Sequence, residues 1–228
     1  MSYIFDPSEP ASLAIVNSSK RFPIHRIYCV GRNYADHARE MGHNPDEEPP
    51  FFFLKPADVI VESGGAFPYP THSEDVHHEV ELVVALHTGG REISSVDALQ
   101  HVFGYAVGID MTRRDLQNAA KEKGRPWDSG KAFDHSAPCS PLNPSTEAGH
   151  PSTGRISLTV NGDLRQDADL NQMIWKVPQI ISELSSLFEL RAGDLIYTGT
   201  PAGVGPIQRA DRILARIEQV ASLEIVCE

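Results

Sequence analysis

Two glutamates stand in a run that otherwise reads as a buried β-strand, "DVHHEVELVVAL" at residues 75–86. Side chains two apart on a strand share a face, so Glu79 and Glu81 project together while Val80, Leu82 and Val84 line the other side. Two buried like charges drive one pKa sharply upward unless a cation intervenes. An isolated E-x-E is more often a strand end turned to solvent. Here the apolar flanks and the adjoining His77 and His78 favour a metal. Asp110 closes a second apolar run, "FGYAVGID", where it suits either a third ligand or a turn ahead of the next helix. Three carboxylates with water in the open positions suit a hard cation, Mg²⁺ or Mn²⁺, and serve zinc or copper poorly.

Such a site stays slightly negative, so an anionic substrate needs further cations. Arg114 and Gln117 fall on one face of the helix that follows Asp110, and Lys131 follows the "WDSG" turn. Each alone is more often a solvated surface charge, and Arg113 is read as one. In "NYADHAREMG", His37 and Glu40 are i, i+3 on a short helix. The carboxylate can hold the imidazole in one tautomer, ready to accept a proton from water; an incidental contact on an exposed helix has the same spacing. "YTGTPAGVG" (197–205) offers threonine hydroxyls, Thr200 among them, and glycines that permit close backbone approach. It lacks the G-K-[ST] ending of a phosphate loop and reads equally as a tight loop.

These groups need elements to carry them. Apolar runs predict strands at 27–33, 51–56, 76–86 and 103–112, and "ISLTVNGDLRQD" predicts a hairpin turning at Asn161-Gly162. "ILARIE" and "SLEIVCE" predict two closing strands. Helices are expected over 33–42 up to Gly42, over 95–102 from Ser95, over 112–124 from Thr112, and over 176–190. In the last, Val177, Ile180, Ile181, Leu184, Leu187 and Phe188 form one stripe, with Pro178 in the first turn. Residues 43–50 and 137–153 read as loop. Many strands with few, irregularly spaced helices predict an α+β fold on a rolled or sandwiched sheet, not a doubly wound parallel one.

The chain has 228 residues with a net charge of −11 and no long basic run. Nucleic acid and anionic membrane are therefore poor partners. The start does not resemble a signal peptide, and the longest apolar stretch, about five residues, is far short of a membrane span. Cys29, Cys139 and Cys227 form neither a disulfide framework nor a zinc pattern and fit a reducing cytoplasm. The expected organisation is a short lead-in, 1–24, and a single catalytic domain, 25–228.

Taken in order, "YCVGRNYADHAREMG", "PPFFFLKPAD", "HHEVELVV", "GYAVGIDMTRRDLQ", "KGRPWDSGKAFD", "VNGDLRQD" and "GDLIYTGTPAGVGP" resemble the fumarylacetoacetate hydrolase family across nearly the whole chain. The resemblance implies a mixed β-roll or β-sandwich with short helices and a lid segment, usually a homodimer. It implies one Mg²⁺ or Mn²⁺ per subunit on Glu79, Glu81 and Asp110, and a catalytic dyad of His37 and Glu40 on the lid. Arg114, Gln117, Lys131 and Thr200 match substrate-contacting positions, with Lys131 also a candidate catalytic group. Larger members carry an extra N-terminal domain; this chain resembles the shorter acylpyruvate hydrolases, and most of all those that act on fumarylpyruvate in gentisate-type aromatic breakdown. The expected reaction is hydrolysis of the C–C bond of a small anionic 2,4-dioxo acid. Three rivals stand beside it: oxaloacetate decarboxylation, isomerisation or decarboxylation of an unsaturated dioxo acid from homoprotocatechuate breakdown, and a non-catalytic metal-binding protein.

Overall fold

The alternation in "VELVVAL" sets the register of the central strand pair. Strand Val80–Leu86 runs antiparallel to Val102–Ile109, with Glu81 opposite Gly108 and Val80 opposite Ile109. Val80, Leu82, Val84 and Leu86 are fully buried in the larger of two apolar clusters, and Val83 and Ala85 in the other. A slip by one residue would exchange the two faces and move aliphatic side chains, each worth ~1.5–3 kcal/mol when buried, into the carboxylate face. The register is thereby locked.

The computed structural model describes residues 3–40 and 49–228. The expected end of the first helix at Gly42, and most of the loop expected over 43–50, lie outside the described residues. Around the central pair the main sheet runs 51–55, 26–31, 194–197, 80–86, 102–109, 137–139, 60–62. Strands 194–197 and 26–31 are parallel, as are 137–139 and 60–62, and most other pairs are antiparallel. A second sheet of five strands, 163–169, 155–160, 212–217, 221–227 and 66–67, packs its Ile156, Leu158, Ile213, Leu223 and Ile225 into the larger cluster. The result is the expected α+β fold: mixed curled sheets with few short helices. The lead-in contributes Leu13, Phe22 and Ile24 to the smaller cluster.

Several expected elements differ. The run 76–86 breaks at Glu79 into Val76–His78 and Val80–Leu86. Residues 95–102 form only a 3₁₀ turn, Ala98–His101, with Asp97 and not Ser95 before it. The helix expected from Thr112 begins at Arg114, because Thr112 belongs to a two-residue strand paired with His77. Arg113 is not a free surface charge: its guanidinium lies 4.3 Å from the Phe133 ring centroid. The stretch 137–153, expected as loop, holds strands Ala137–Cys139 and Asn143–Pro144 and a helical turn. Helix Val177–Leu187 buries Val177, Ile180, Ile181 and Leu184, but Leu187 is exposed. Cys29, Cys139 and Cys227 are free and buried.

Candidate active site

Strand pairing brings the carboxylates together. One step past the Ile109–Val80 pair, the Asp110 amide donates to the Glu79 carbonyl at 2.8 Å. Glu79, Glu81 and Asp110 thus share one face with Gly108, and each presents an oxygen within 4.8 Å of the others. None is more than 5% exposed. Gly108 makes room, since a Cβ there would stand 2.4 Å from a Tyr197 ring carbon and 2.5 Å from Val83.

Charges of both signs converge on this group. Lys131 lies at the end of the helical turn Asp128–Lys131, and its Nζ is 2.9 Å from Glu79, 2.6 Å from Asp110 and 2.7 Å from Thr112 Oγ1. Arg114 reaches Glu79 at 2.5 Å and donates to Gln117 Oε1 at 2.6 Å. Lys55, which sequence reasoning missed, ends strand Phe51–Lys55 with Nζ 2.9 Å from Asp110 Oδ1, and donates to the Met111 and Lys131 carbonyls. Its signal was available: a lone charge closing an apolar run, the same reasoning that found Asp110.

Burial alone would push the Glu79 carboxyl up, but Lys131 and Arg114 outweigh it and hold Glu79 well below the usual carboxylate range. Glu81 goes the other way. Burial, then Asp110 and Glu79, raise it well above that range, only partly offset by the Gly199 amide. A carboxyl pushed up in this way is one that a dication would return to its charged form. Asp110 Oδ1 is buried and receives no aligned hydrogen bond, leaving lone-pair capacity beside Glu81. The donor set is all oxygen, and the group suits a divalent metal. Three carboxylates already meet three cations, so a bound dication would make the site net positive and attractive to an anionic substrate.

The glycine-rich loop serves both constellations. Gly199, at φ +96°, turns its amide onto Glu81 Oε2 at 2.8 Å, a conformation that favours glycine. Gly203 donates its amide to Glu40 Oε2 at 3.3 Å. Between them, Thr200 accepts a 2.8 Å hydrogen bond from Gln166 Nε2, which leaves its own hydroxyl hydrogen available toward the pocket. Gln166 is fully buried and saturated: its Oε1 meets His78 Nδ1 and the Val80 amide, and its Nε2 also reaches the Pro201 carbonyl. Sequence reasoning gave no role to Gln166 or to these amides.

His37, on helix Ala35–Glu40, is buried, with Nδ1 3.4 Å from Glu40 Oε2. Burial lowers its pKa below the ordinary histidine value, although Glu79 and Glu40 pull it back up. One pocket is lined by His37, Glu79, Glu81, Asp110, Arg114, Gln117, Lys131 and Thr200 together. Glu40 backs His37 from outside that lining. Arg32, Lys121, Phe51, Phe53 and Trp127 complete the walls.

Residues 26–226 match the family described as "Fumarylacetoacetate (FAA) hydrolase C-terminal". The chain belongs to the fumarylacetoacetate hydrolase family. It is an enzyme, a carbon–carbon hydrolase. Among family members, "Oxaloacetate tautomerase FAHD1, mitochondrial" of Mus musculus is 45% identical over 197 residues, 86% of this chain and 89% of that protein. "Fumarylpyruvate hydrolase" of Ralstonia sp is 42% identical over 187 residues, 81% and 97% of the two chains. The crystal structure of fumarylpyruvate hydrolase from Pseudomonas aeruginosa, in complex with Mn²⁺ and pyruvate, superimposes with TM-score 0.97 at 51% identity, covering 99% of both chains.

Proposed function

We propose that this enzyme hydrolyses the C3–C4 bond of an acylpyruvate, and that its substrate is fumarylpyruvate, released as fumarate and pyruvate. The observation that carries this reading is the single pocket in which an oxygen-only carboxylate trio, its cations and a carboxylate-backed histidine meet. Relatives named fumarylpyruvate hydrolase, one of them solved with Mn²⁺ and pyruvate, support it.

Glu79, Glu81 and Asp110 would hold Mg²⁺ or Mn²⁺, which supplies Lewis acidity toward the keto-acid head of the substrate. Arg114, Gln117 and Lys131 line the same end of the pocket and fix the head carboxylate. His37, with Nδ1 held by Glu40, accepts a proton from water at its other ring nitrogen. The hydroxyl oxygen attacks C4, and the Thr200 hydroxyl donates to the oxyanion that develops there. The C3–C4 bond then breaks: its electron pair passes to C3, giving the enolate of pyruvate, and C4 leaves as the second carboxylate. Protonation of C3 completes pyruvate. We further propose a cytoplasmic homodimer working in gentisate-type aromatic breakdown. The edge strand Phe51–Lys55 with its exposed Leu54, and three reduced thiols, support that setting.

An absorbance assay on fumarylpyruvate, maleylpyruvate, acetylpyruvate and oxaloacetate, each with and without chelator, tests the proposal. Fumarylpyruvate should be cleaved fastest, and chelator should abolish the reaction. Preference for acetylpyruvate, or chelator-insensitive turnover, would overturn it. The mouse relative's name favours a second reading, chemistry on oxaloacetate at the same site. Tautomerisation moves a proton at C3 and breaks no carbon–carbon bond, so following enol–keto interconversion of oxaloacetate beside pyruvate release from fumarylpyruvate separates the two. His37→Ala should lower hydrolysis by at least about a hundredfold, and faster turnover of oxaloacetate than of fumarylpyruvate in the parent enzyme would favour the second reading.

A further inference from the structure

We propose that Arg32 and Lys121 form a second anion subsite at the outer end of the pocket, built for the carboxylate at the far end of a dicarboxylic acyl tail. The proposal rests on the acylpyruvate reading and names the tail that the enzyme selects.

Arg114, Gln117 and Lys121 stand at i, i+3 and i+7 on helix Arg114–Glu122, so one stripe faces the pocket along its length. The rise of an α-helix separates the first from the last by about 10 Å along the axis. Arg114 touches the metal-ligand group; Lys121 lines the same pocket two helical turns further on. The same helix therefore offers a cation to each end of an extended substrate.

The surroundings of Lys121 suit the approach of a carboxylate. Its side chain is half-buried, its Nζ lies 5.0 Å from the Trp127 ring centroid, and among the described residues it makes no ion pair. Burial, with repulsion from Arg114 and Arg32, lowers its pKa to about 8. A partly desolvated amine crowded by like charges is poorly compensated until a carboxylate arrives. Arg32 lines the same pocket with its guanidinium 5.3 Å from the Phe51 ring centroid. It holds φ +59°, a left-handed conformation uncommon outside glycine. The next residue keeps it there: Asn33 bonds the Trp175 amide and carbonyl and the Thr198 carbonyl. Backbone strain of this kind persists where the surroundings over-determine it, and it gathers at ligand sites. Phe51, Phe53 and Trp127 form aromatic walls between the two cationic ends, with Trp127 edge-on to Phe51 at 5.2 Å. Flat walls of this kind suit a planar, conjugated tail.

The test is calorimetric titration of the Mn²⁺-loaded protein with 2-oxoheptanedioate and with 2-oxoheptanoate, which differ only in the distal carboxylate. The diacid should bind at least about tenfold tighter, the value of one charge-assisted hydrogen bond. Lys121→Met should bring that ratio close to one, Lys121→Arg should keep most of it, and Arg32→Asn, which tolerates the left-handed backbone, should reduce it. Equal affinities in the parent protein, or an unchanged ratio in Lys121→Met, would overturn the subsite. Because no turnover is needed, the two readings fail separately. A diacid preference without fumarylpyruvate hydrolysis would leave the subsite and remove the reaction. Hydrolysis without the preference would do the reverse.

Discussion

At the residue scale, the chemistry depends on which side chains are forced to be neutral. His37 titrates below its unfolded value because burial disfavours the imidazolium, with Glu79 and Glu40 acting in the opposite direction. The neutral ring is the form that takes a proton, so activity should be full above the ordinary histidine value of about 6.5 and should fall as pH drops through a lower one. A kcat/KM profile should place the acid limb below 6.5. Glu40→Gln removes a group that raises His37 and should shift that limb further down; an upward shift would contradict the assignment. The same depression bears on stability. The unfolded chain binds a proton at His37 at higher pH than the fold does, so this contribution is present above about 6.5 and is lost as pH falls through the folded value. The three candidate ligands were legible because each interrupts an apolar run. Arg32 and Lys121 were not: Lys121 is one basic residue in a polar stretch, and Arg32 stands near the end of the run 27–33 with nothing in the sequence to say what it faces.

At the element scale, legibility followed the strength of the local pattern. The strand pair that carries Glu79, Glu81 and Asp110 could be anticipated because alternation and burial agree residue by residue. The helix expected over 95–102 could not hold. Ser94 and Asp97 satisfy each other across one turn, with Ser94 Oγ 2.7 Å from Asp97, and only a 3₁₀ segment follows. Thr112 read as a cap, but its hydroxyl is drawn instead to Glu79, at 3.2 Å, and to Lys131. Tertiary charge outweighed a local preference. Gly108 is where element packing and site meet. Its missing side chain lets Tyr197 and Val83 close over the strand beside the carboxylates. Gly108→Ala should cost about 1–3 kcal/mol by overpacking, a melting point lower by roughly 2–10 °C at this chain length, and should weaken Mn²⁺ binding by tilting the strand that carries Asp110. Thermal denaturation with and without the ion measures both.

At the scale of the whole molecule, the carboxylate group ties together segments far apart in sequence: the strands ending at Lys55 and Ile109, the turn at Lys131 and the loop at Gly199. An ion held by Glu79, Glu81 and Asp110 would join the two central strands directly and has no comparable site in the unfolded chain. Mn²⁺ at a hundred times its dissociation constant should stabilise the fold by about 2.7 kcal/mol, raising the melting point, and chelator should reverse the gain. An unchanged melting point would mean that the fold does not bind the ion in preference to the unfolded chain, and would remove the site. No helix among the described residues is long and apolar enough to cross a membrane.

The three cysteines carry a practical consequence. All are shielded from solvent, and burial raises each thiol above its ordinary pKa, Cys139 to about 12 and Cys227 to about 11. Native protein should therefore be silent to maleimides, which attack exposed thiolates, and a thiol count on the folded protein checks this. A reporter cysteine introduced at exposed Arg39, on the helix that carries His37, would be the one exposed thiol, so a fluorophore there should report whether that helix moves when a keto acid binds, without any background to subtract.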